Sequence, residues 1–368
     1  MFVAWRELAV ARGRFALIGS VVTLITVLVG FLGGLTFGLA NANISALTSL
    51  TANTIVFGSG DSADTSQEPT YASSQVTANE LAMWRGAHGV EHAEPLGIAT
   101  VKAFAANGDS SAITLFGVSS SFDSVGGSQQ LPTSDDGIVL SAAAAKNLGA
   151  LQGDDVTVAG TTFTVDAVNG NSEYSHTGVA YASLDNWRVI VGQQTGGGEQ
   201  PFATVFAVTA SGADLAKIDA EAGTTATGIW TSLLSLESFK SEIGSLGMMM
   251  ALLFGISALV IGAFFTVWTL QRHGDVAVLK ALGASTASLV KDALGQALAV
   301  LVAGVGLGLI LTIGLGLLAA SALPFVLSPL TTLLPAAIMI VLGLAGAAFA
   351  LRSVTTVDPL AALSGRNS

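Results

Sequence analysis

The sequence predicts a membrane α-helical bundle of four transmembrane helices with an extracytoplasmic α/β domain between its first and second spans. Three observations predict it. Of the 368 residues, 51% are hydrophobic and only 11% are charged, against about 25% charged in a soluble domain. The apolar residues gather into runs long enough to cross a bilayer, which takes roughly 20 residues per helix. The acidity is confined to one place: residues 41–241 hold 6 Lys/Arg and 20 Asp/Glu, net −14, in a chain whose net charge is −11.

The first 14 residues interleave Phe2, Val3, Leu8 and Val10 with Arg6, Glu7, Arg12 and Arg14. That spacing predicts an amphipathic helix in the membrane interface, its basic residues suited to anionic lipid. The first span follows over 15–40. Its apolar stretch of about 26 residues exceeds the roughly 7–15 of a signal-peptide core, so it is expected to stay as an anchor. Gly30, Gly34 and Gly38 recur along it every fourth residue, a smooth face that permits close helix approach. Two partners fit such a face: the chain's own spans, where Gly304 and Gly308 form a similar set, or the same helix of a second copy.

The extracytoplasmic domain is expected over 41–228. Strand-like runs occur at 53–57, 97–106, 111–118, 137–141, 155–168 and 202–210. Within 155–168, Val156–Val158 and Phe163–Val165 flank "AGTT", a hairpin signal. Helix-like runs occupy 77–87, 141–150, capped by Ser141, and 212–223. The stretches 58–70 and 192–201 read as loops. "IWTSLLSLESFKSEIGSLGMMM" (229–250) reads as one helix continuous with the second span, so 229–270 is a stalk plus transmembrane helix.

Residues 271–292 form a short polar segment before the third span at 293–320. "PFVLSPLTTLLP" (324–335) reads as a turn, and the fourth span follows at 333–351, with a tail at 352–368. Arg6, Arg12 and Arg14 precede the first span, Arg272, Lys280 and Lys291 separate the second from the third, and Arg352 and Arg366 follow the fourth. By the positive-inside rule both termini and the 271–292 segment lie on the cytoplasmic side of the cell membrane.

The chemistry of an engine is missing from the sequence. There is no G-x-x-x-x-G-K-[ST] cradle, no H-E-x-x-H and no cysteine. Neither a resident cofactor nor a catalytic site is expected. Few ionisable groups lie within the spans, which disfavours a proton-coupled pump. "DVAVLKALGAS" (275–285) reads as a short amphipathic helix, with Asp275 and Lys280 polar and Val276, Leu279 and Leu282 apolar. It is the natural docking surface for an engine on another chain.

These residues carry a resemblance. "QRHGDVAVLKALGAS" (271–285) resembles the coupling motif of FtsX/MacB-type ABC permeases, with Asp275 for the usual Glu, Val276 for Ile and Lys280 for Arg. "GIVLSAAAAKNLGALQGDDVTVAGTTFTVDAV" (137–168) and "VDPLAAL" (357–363) fit the same family. The resemblance implies a homodimer in membrane lipid, docked through 275–282 to two copies of a separate cytoplasmic ABC ATPase that binds ATP-Mg. It implies no role for nucleic acid. The ATPases would drive mechanotransmission, in which the spans and stalks move without a pore.

The opening "MFVAWRELAVARGRFALIG" and the compact length resemble the haem-efflux branch of the family. That implies haem as the transported ligand. Other lipid-like, peptide or antibiotic cargo, or mechanical control of a cell-wall hydrolase, are the alternatives. Glu242, Glu237 and Met249 are the candidate haem contacts. From Leu270 back to Glu242 is roughly 42 Å of helix at about 1.5 Å per residue, against about 30 Å of hydrocarbon. Glu242 is therefore the acidic residue nearest the outer membrane edge. A carboxylate is a hard donor that suits ferric iron, so Glu242 is the candidate iron ligand. His88 and His92 form H-x-x-x-H, for which no third ligand is near, and read as surface residues.

Overall fold

The computed structural model describes residues 12–58, 68–120, 122, 130–194, 200–271, 283, 285–319 and 323–355. The interfacial helix expected over 1–14 lies almost wholly outside these residues, as do the coupling positions 275–282 and the end of the tail. The described chain forms two compact units, residues 40–243 and the remainder.

In chain order, helix α1 is Arg12–Thr48, followed by β1 (Thr54–Gly58), α2 (Ala78–Gly86), β2 (Val90–Ala105), β3 (Ser110–Val118) and β4 (Gly137–Leu140). Next come α3 (Ala142–Leu148), β5 (Asp155–Val158), β6 (Thr161–Val168), β7 (Glu173–Tyr174), β8 (Thr177–Ser183) and α4 (Leu184–Gln194). The unit closes with β9 (Val205–Ala210), α5 (Leu215–Ala222), β10 (Thr224–Gly228) and the single turn α6 (Ile229–Ser232). The long helices α7 (Glu237–Gln271), α8 (Thr286–Ala319) and α9 (Pro329–Thr355) complete the chain.

The strands make one sheet in the order β10-β1-β9-β2-β3-β8-β4-β6-β5, with β7 paired to β8. The far end of β2, residues Ala103–Ala105, also pairs with β5, so six of the strands close on themselves. Period-2 alternation sorts the two faces. In β1, Val56 joins a core with Trp84, Trp187 and Phe163, while Ile55 and Phe57 join a second core with Leu47, Tyr181 and Leu236. The end of α1 is thus part of the second core. The expected hairpin is present: Val158 pairs with Thr161 around Ala159–Gly160, both at positive φ (49 and 85). Thr77 and Glu80 form a reciprocal capping box on α2, and Ser141 caps α3. Four elements escape the sequence pattern: β7, β8, α4 and β10. Part of the 192–201 loop is the last turn of α4, and residues 195–199 lie outside the described residues.

The stalk reading requires correction. Residues 229–236 are not continuous with the second span. A helical turn, a 3-10 turn at Leu233–Ser235 and an extended Leu236 (φ −91, ψ 106) precede α7. The cause is tertiary: Leu233 and Leu236 are 3% and 7% exposed in the second core, which a straight helix would not place there.

Four described helices are long and apolar enough to span a membrane: Ala16–Thr48, Glu237–Gln271, Thr286–Ala319 and Pro329–Leu351. Their shared core includes Val22, Ile261, Phe265, Leu301 and Met339. The fourth helix starts earlier than the proline spacing suggests. Ser328 Oγ accepts from the Thr331 N–H at 3.2 Å, and Pro329 occupies the first helical position, where its missing N–H is not needed. Pro335 consequently lies inside α9.

Candidate functional site

Within the 40–243 unit, three elements converge on one polar cluster: the end of α1, the start of α7 and the β7–β8 hairpin. Asn43 on α1 is fully buried, so its amide must find partners. Its Nδ2 donates to Glu242 Oε2 at 2.9 Å, and its Oδ1 accepts from Ser238 Oγ at 2.9 Å. Ser238 and Glu242 stand four apart on α7, hence on one face. That face meets Asn43 because Phe239 and Leu236 on either side of Ser238 pack into the second core.

The hairpin supplies the third wall. Tyr174 pairs with Thr177, leaving a two-residue tip, Ser175–His176, with φ of 48 and 63. This left-handed pair matches the turn that ordinarily takes Asn-Gly or Asp-Gly. The Ser175 N–H donates to the Asn43 carbonyl at 2.9 Å and the His176 N–H to the Ala42 carbonyl at 3.1 Å. Ser175 Oγ donates to Ser238 Oγ at 3.1 Å, and His176 Nε2 lies 3.1 Å from Glu242 Oε2. Because a carboxylate only accepts, Nε2 carries the proton. Asn43 Nδ2 sits 3.4 Å from the same nitrogen. Two donors face each other there, so Glu242 is the acceptor that both require. At the root of the hairpin, the Glu173 N–H donates to Ser45 Oγ at 2.9 Å. Burial pushes the Glu173 carboxyl above its ordinary range, and His176 nearby opposes the shift.

An aromatic stack backs the hairpin. Phe57, Tyr71, Tyr174, Phe116 and Tyr181 meet in succession edge to face, with centroids 4.9, 6.1, 5.9 and 5.7 Å apart. Such pairs add about 0.5–1.5 kcal/mol each beyond burial. Tyr71 Oη bonds Ser232 Oγ at 2.9 Å. All three tyrosines of the chain belong to this stack, which ties the strands behind the hairpin to one another. Burial raises the phenols of Tyr71 and Tyr174 well above their usual range, so they stay protonated donors.

Of the candidate haem contacts, Glu242 has its side chain 17% exposed in this cluster. Glu237 opens α7 and is exposed, and Met249 is 50% exposed on the same helix. His88 stands in the turn after α2 and His92 on β2, both exposed, so they share no helix face. Among the described residues no group of three or more His, Asp or Glu is placed to hold a metal ion. Asp275, Val276, Leu279, Lys280 and Leu282 lie outside the described residues.

The glycine stripe of the first span faces its own chain. A Cβ on Gly30 would meet the Thr312 methyl at 2.9 Å, one on Gly34 the Phe325 ring, and one on Gly38 the Pro324 carbonyl. Gly304 and Gly308 of α8 in turn receive Val22 and Thr26, and Thr23 Oγ1 donates to the Gly304 carbonyl at 3.0 Å. On α7 the situation is reversed: nothing lies within 4 Å of a Cβ built at Gly244, Gly247 or Gly255.

Neither Asn43 nor His176 is among the candidate residues that the sequence offers. No local signal marked the hairpin, since "EYSHTG" lacks the glycine a tight turn prefers at its tip. For Asn43 there was none either, because its partners are 133 and 199 residues away.

Residues 17–225 match the family described as MacB-like periplasmic core domain, and residues 247–359 match FtsX-like permease C-terminal. The chain is 27% identical, over 99% of both lengths, to a Staphylococcus haemolyticus protein named as a hemin transport system permease, HrtB. Namesakes from two Staphylococcus epidermidis strains are 24% and 25% identical over the same share. Among solved structures, the extracellular domain of the transporter YknZ from Gram-positive bacteria aligns with 48% of this chain and 99% of its own, at 16% identity and a TM-score of 0.33. The periplasmic region of MacB from Actinobacillus actinomycetemcomitans aligns with 50% and 92%, at 13% identity and 0.33.

Proposed function

The chain belongs to the FtsX/MacB-type ABC transporter permeases, and on that footing we propose that it is the membrane subunit of a haem exporter. In this reading two copies sit in the cytoplasmic membrane with both termini inside. Each docks a separate ATPase subunit through Asp275, Val276, Leu279, Lys280 and Leu282. ATP-Mg binds that partner, and this chain converts ATPase closure into movement of α1 and α7. Haem is the substrate, taken from the outer leaflet, and the permease keeps no cofactor of its own.

The observation that carries the reading is the position of Glu242. It is a partly sheltered carboxylate at the outer end of α7, followed on that helix by the uncovered glycines 244, 247 and 255. From Gln271, α7 runs about 51 Å back to Glu237 at about 1.5 Å per residue, against about 30 Å of hydrocarbon. By the same rise Glu242 lies roughly 13 Å beyond the apolar layer on an upright helix and closer on a tilted one, at the outer interface, where a flat amphipathic molecule leaving the membrane would present its metal. A carboxylate oxygen suits ferric iron, and glycines leave room for a macrocycle. The relatives named as hemin permeases make the same cargo class the first to test.

The test compares Glu242→Ala with Glu237→Ala. The purified permease with its ATPase is titrated with hemin and its absorption band recorded, and cells are challenged with added hemin. Loss of the band and of protection in Glu242→Ala alone supports the assignment. Loss only in Glu237→Ala moves the ligand outward by one to two turns. If neither change has an effect, haem is replaced by another lipid-like or peptide cargo.

A further inference from the structure

The unit 40–243 contains two hairpins with two-residue left-handed tips, and they are built differently. At Ala159–Gly160 the second position is glycine, and the space beside it is open. At Ser175–His176 neither residue is glycine, although both adopt φ values that disfavour side chains. Backbone strain of this kind persists only where surrounding contacts hold it. Here the holding contacts are divided between two helices. Both main-chain N–H groups of the tip grip α1, through the Asn43 and Ala42 carbonyls. Both side chains grip α7, through Ser238 and Glu242.

We propose that the Ser175–His176 tip is a releasable latch, fixed to α1 by its main chain and detachable from α7 at Ser238 and Glu242. The asymmetry sets the direction. The α1 grip uses carbonyls of a continuous helix and leaves no side chain to swing away. The α7 grip consists of two polar side-chain bonds, and the His176 side chain is already 41% exposed, so water can replace its partner. Glu242 is the keeper, because Asn43 and His176 donate to the same Oε2. Drawing that oxygen away frees the imidazole, relaxes the tip and lets the first turn of α7 move against the sheet that carries the hairpin. The aromatic stack behind Tyr174 ensures that the strands follow the tip as a block. The trigger rests on the reading of Glu242 as the cargo ligand: an incoming metal would compete with His176 for the one oxygen.

The chain has no cysteine, which makes the latch directly testable. Ser175→Cys with Ser238→Cys places two thiols where hydroxyls now stand 3.1 Å apart. In the full-length permease with its ATPase, in lipid vesicles, mild oxidation should join them rapidly at rest. Addition of ATP-Mg should slow the joining severalfold, and Ser175→Cys alone should become severalfold more reactive to maleimide. Rates unchanged by ATP-Mg in both forms would overturn the latch. The single variant keeps the question decidable if the double one does not insert. His176→Gly relieves the strained φ and removes the bond to Glu242, so it should slow joining without ATP; joining as fast as in the parent pair would deny His176 its role. Hemin should slow joining as ATP-Mg does. A hemin absorption band with no change in joining would overturn the trigger while leaving haem as cargo. Absence of the band in every form would remove haem as trigger, and the ATP-Mg response would then decide the latch alone.

Discussion

Two helices of the same bundle carry glycines on one face, and the glycines meet opposite ends. On α1, Gly30, Gly34 and Gly38 are filled by Thr312, Phe325 and Pro324. The contact is tight enough that the Gly34 carbonyl accepts a hydrogen bond from the Val326 N–H at 3.2 Å. On α7, Gly244, Gly247 and Gly255 meet nothing, and their neighbours Met248, Leu252, Ile256 and Leu259 are 50% exposed or more. A smooth helix face specifies that something may approach closely, because without side chains the dispersion contacts extend to the backbone. It does not specify what approaches. On α1 the chain supplies its own partner; on α7 the face stays open, and the proposed pairing of two copies is to be sought there.

The comparison breaks most sharply at Gly38. Its Cβ would land on the Pro324 carbonyl, a main-chain atom that cannot swing aside. Gly38→Ala should cost more than the about 1–3 kcal/mol of ordinary overpacking and show as loss of the heat-resistant, detergent-soluble fraction. Gly34→Ala pushes first on the Phe325 ring, which a Cβ at Gly316 would also meet. Thermal unfolding should register about 1–3 kcal/mol there, and Phe325→Leu in the same chain should recover part of it. A full loss unrelieved by Phe325→Leu would mean that the ring is not what fills the groove. Gly30→Ala meets the side chain of Thr312, whose methyl is the nearest atom. A penalty of about 1 kcal/mol, at the low end of overpacking, is expected, and Gly30→Ala with Thr312→Ser should approach the parent. The smallest effect on stability belongs to Gly247→Leu, within about 0.5 kcal/mol of the parent, because the added side chain enters open space. It should nevertheless abolish cross-linking between copies through α7 and block export. If Gly247→Leu preserves both, α7 faces lipid alone and the contrast with α1 is only one of exposure.

Much of the fold was legible in the residues. The four spans follow from the length of apolar runs, since a membrane helix must satisfy every backbone group within itself. The β5–β6 hairpin follows from alternation around Ala159–Gly160, and the ends of α2 and α3 from Thr77, Glu80 and Ser141. Where local pattern and long-range packing disagreed, packing won. Leu233 and Leu236 continue a helical period on paper, yet their burial in the second core bends the chain before α7. β8 escaped because it is nearly all buried, "TGVAYAS", with no alternation to read; its parallel partner β3 lies across a long crossover.

The site divides along the same line. Glu242 could be picked out by composition and depth, because hydropathy along one helix sets its height relative to the membrane. Nothing local could give it Asn43 and His176, which are 199 and 66 residues away. Nor could spacing decide between the two readings of the α1 glycines. A sequence fixes which faces a helix offers, because period and side-chain volume are properties of the segment itself. Which partner fills them is a competition among every face the folded chain brings within reach, and only tertiary structure decides it.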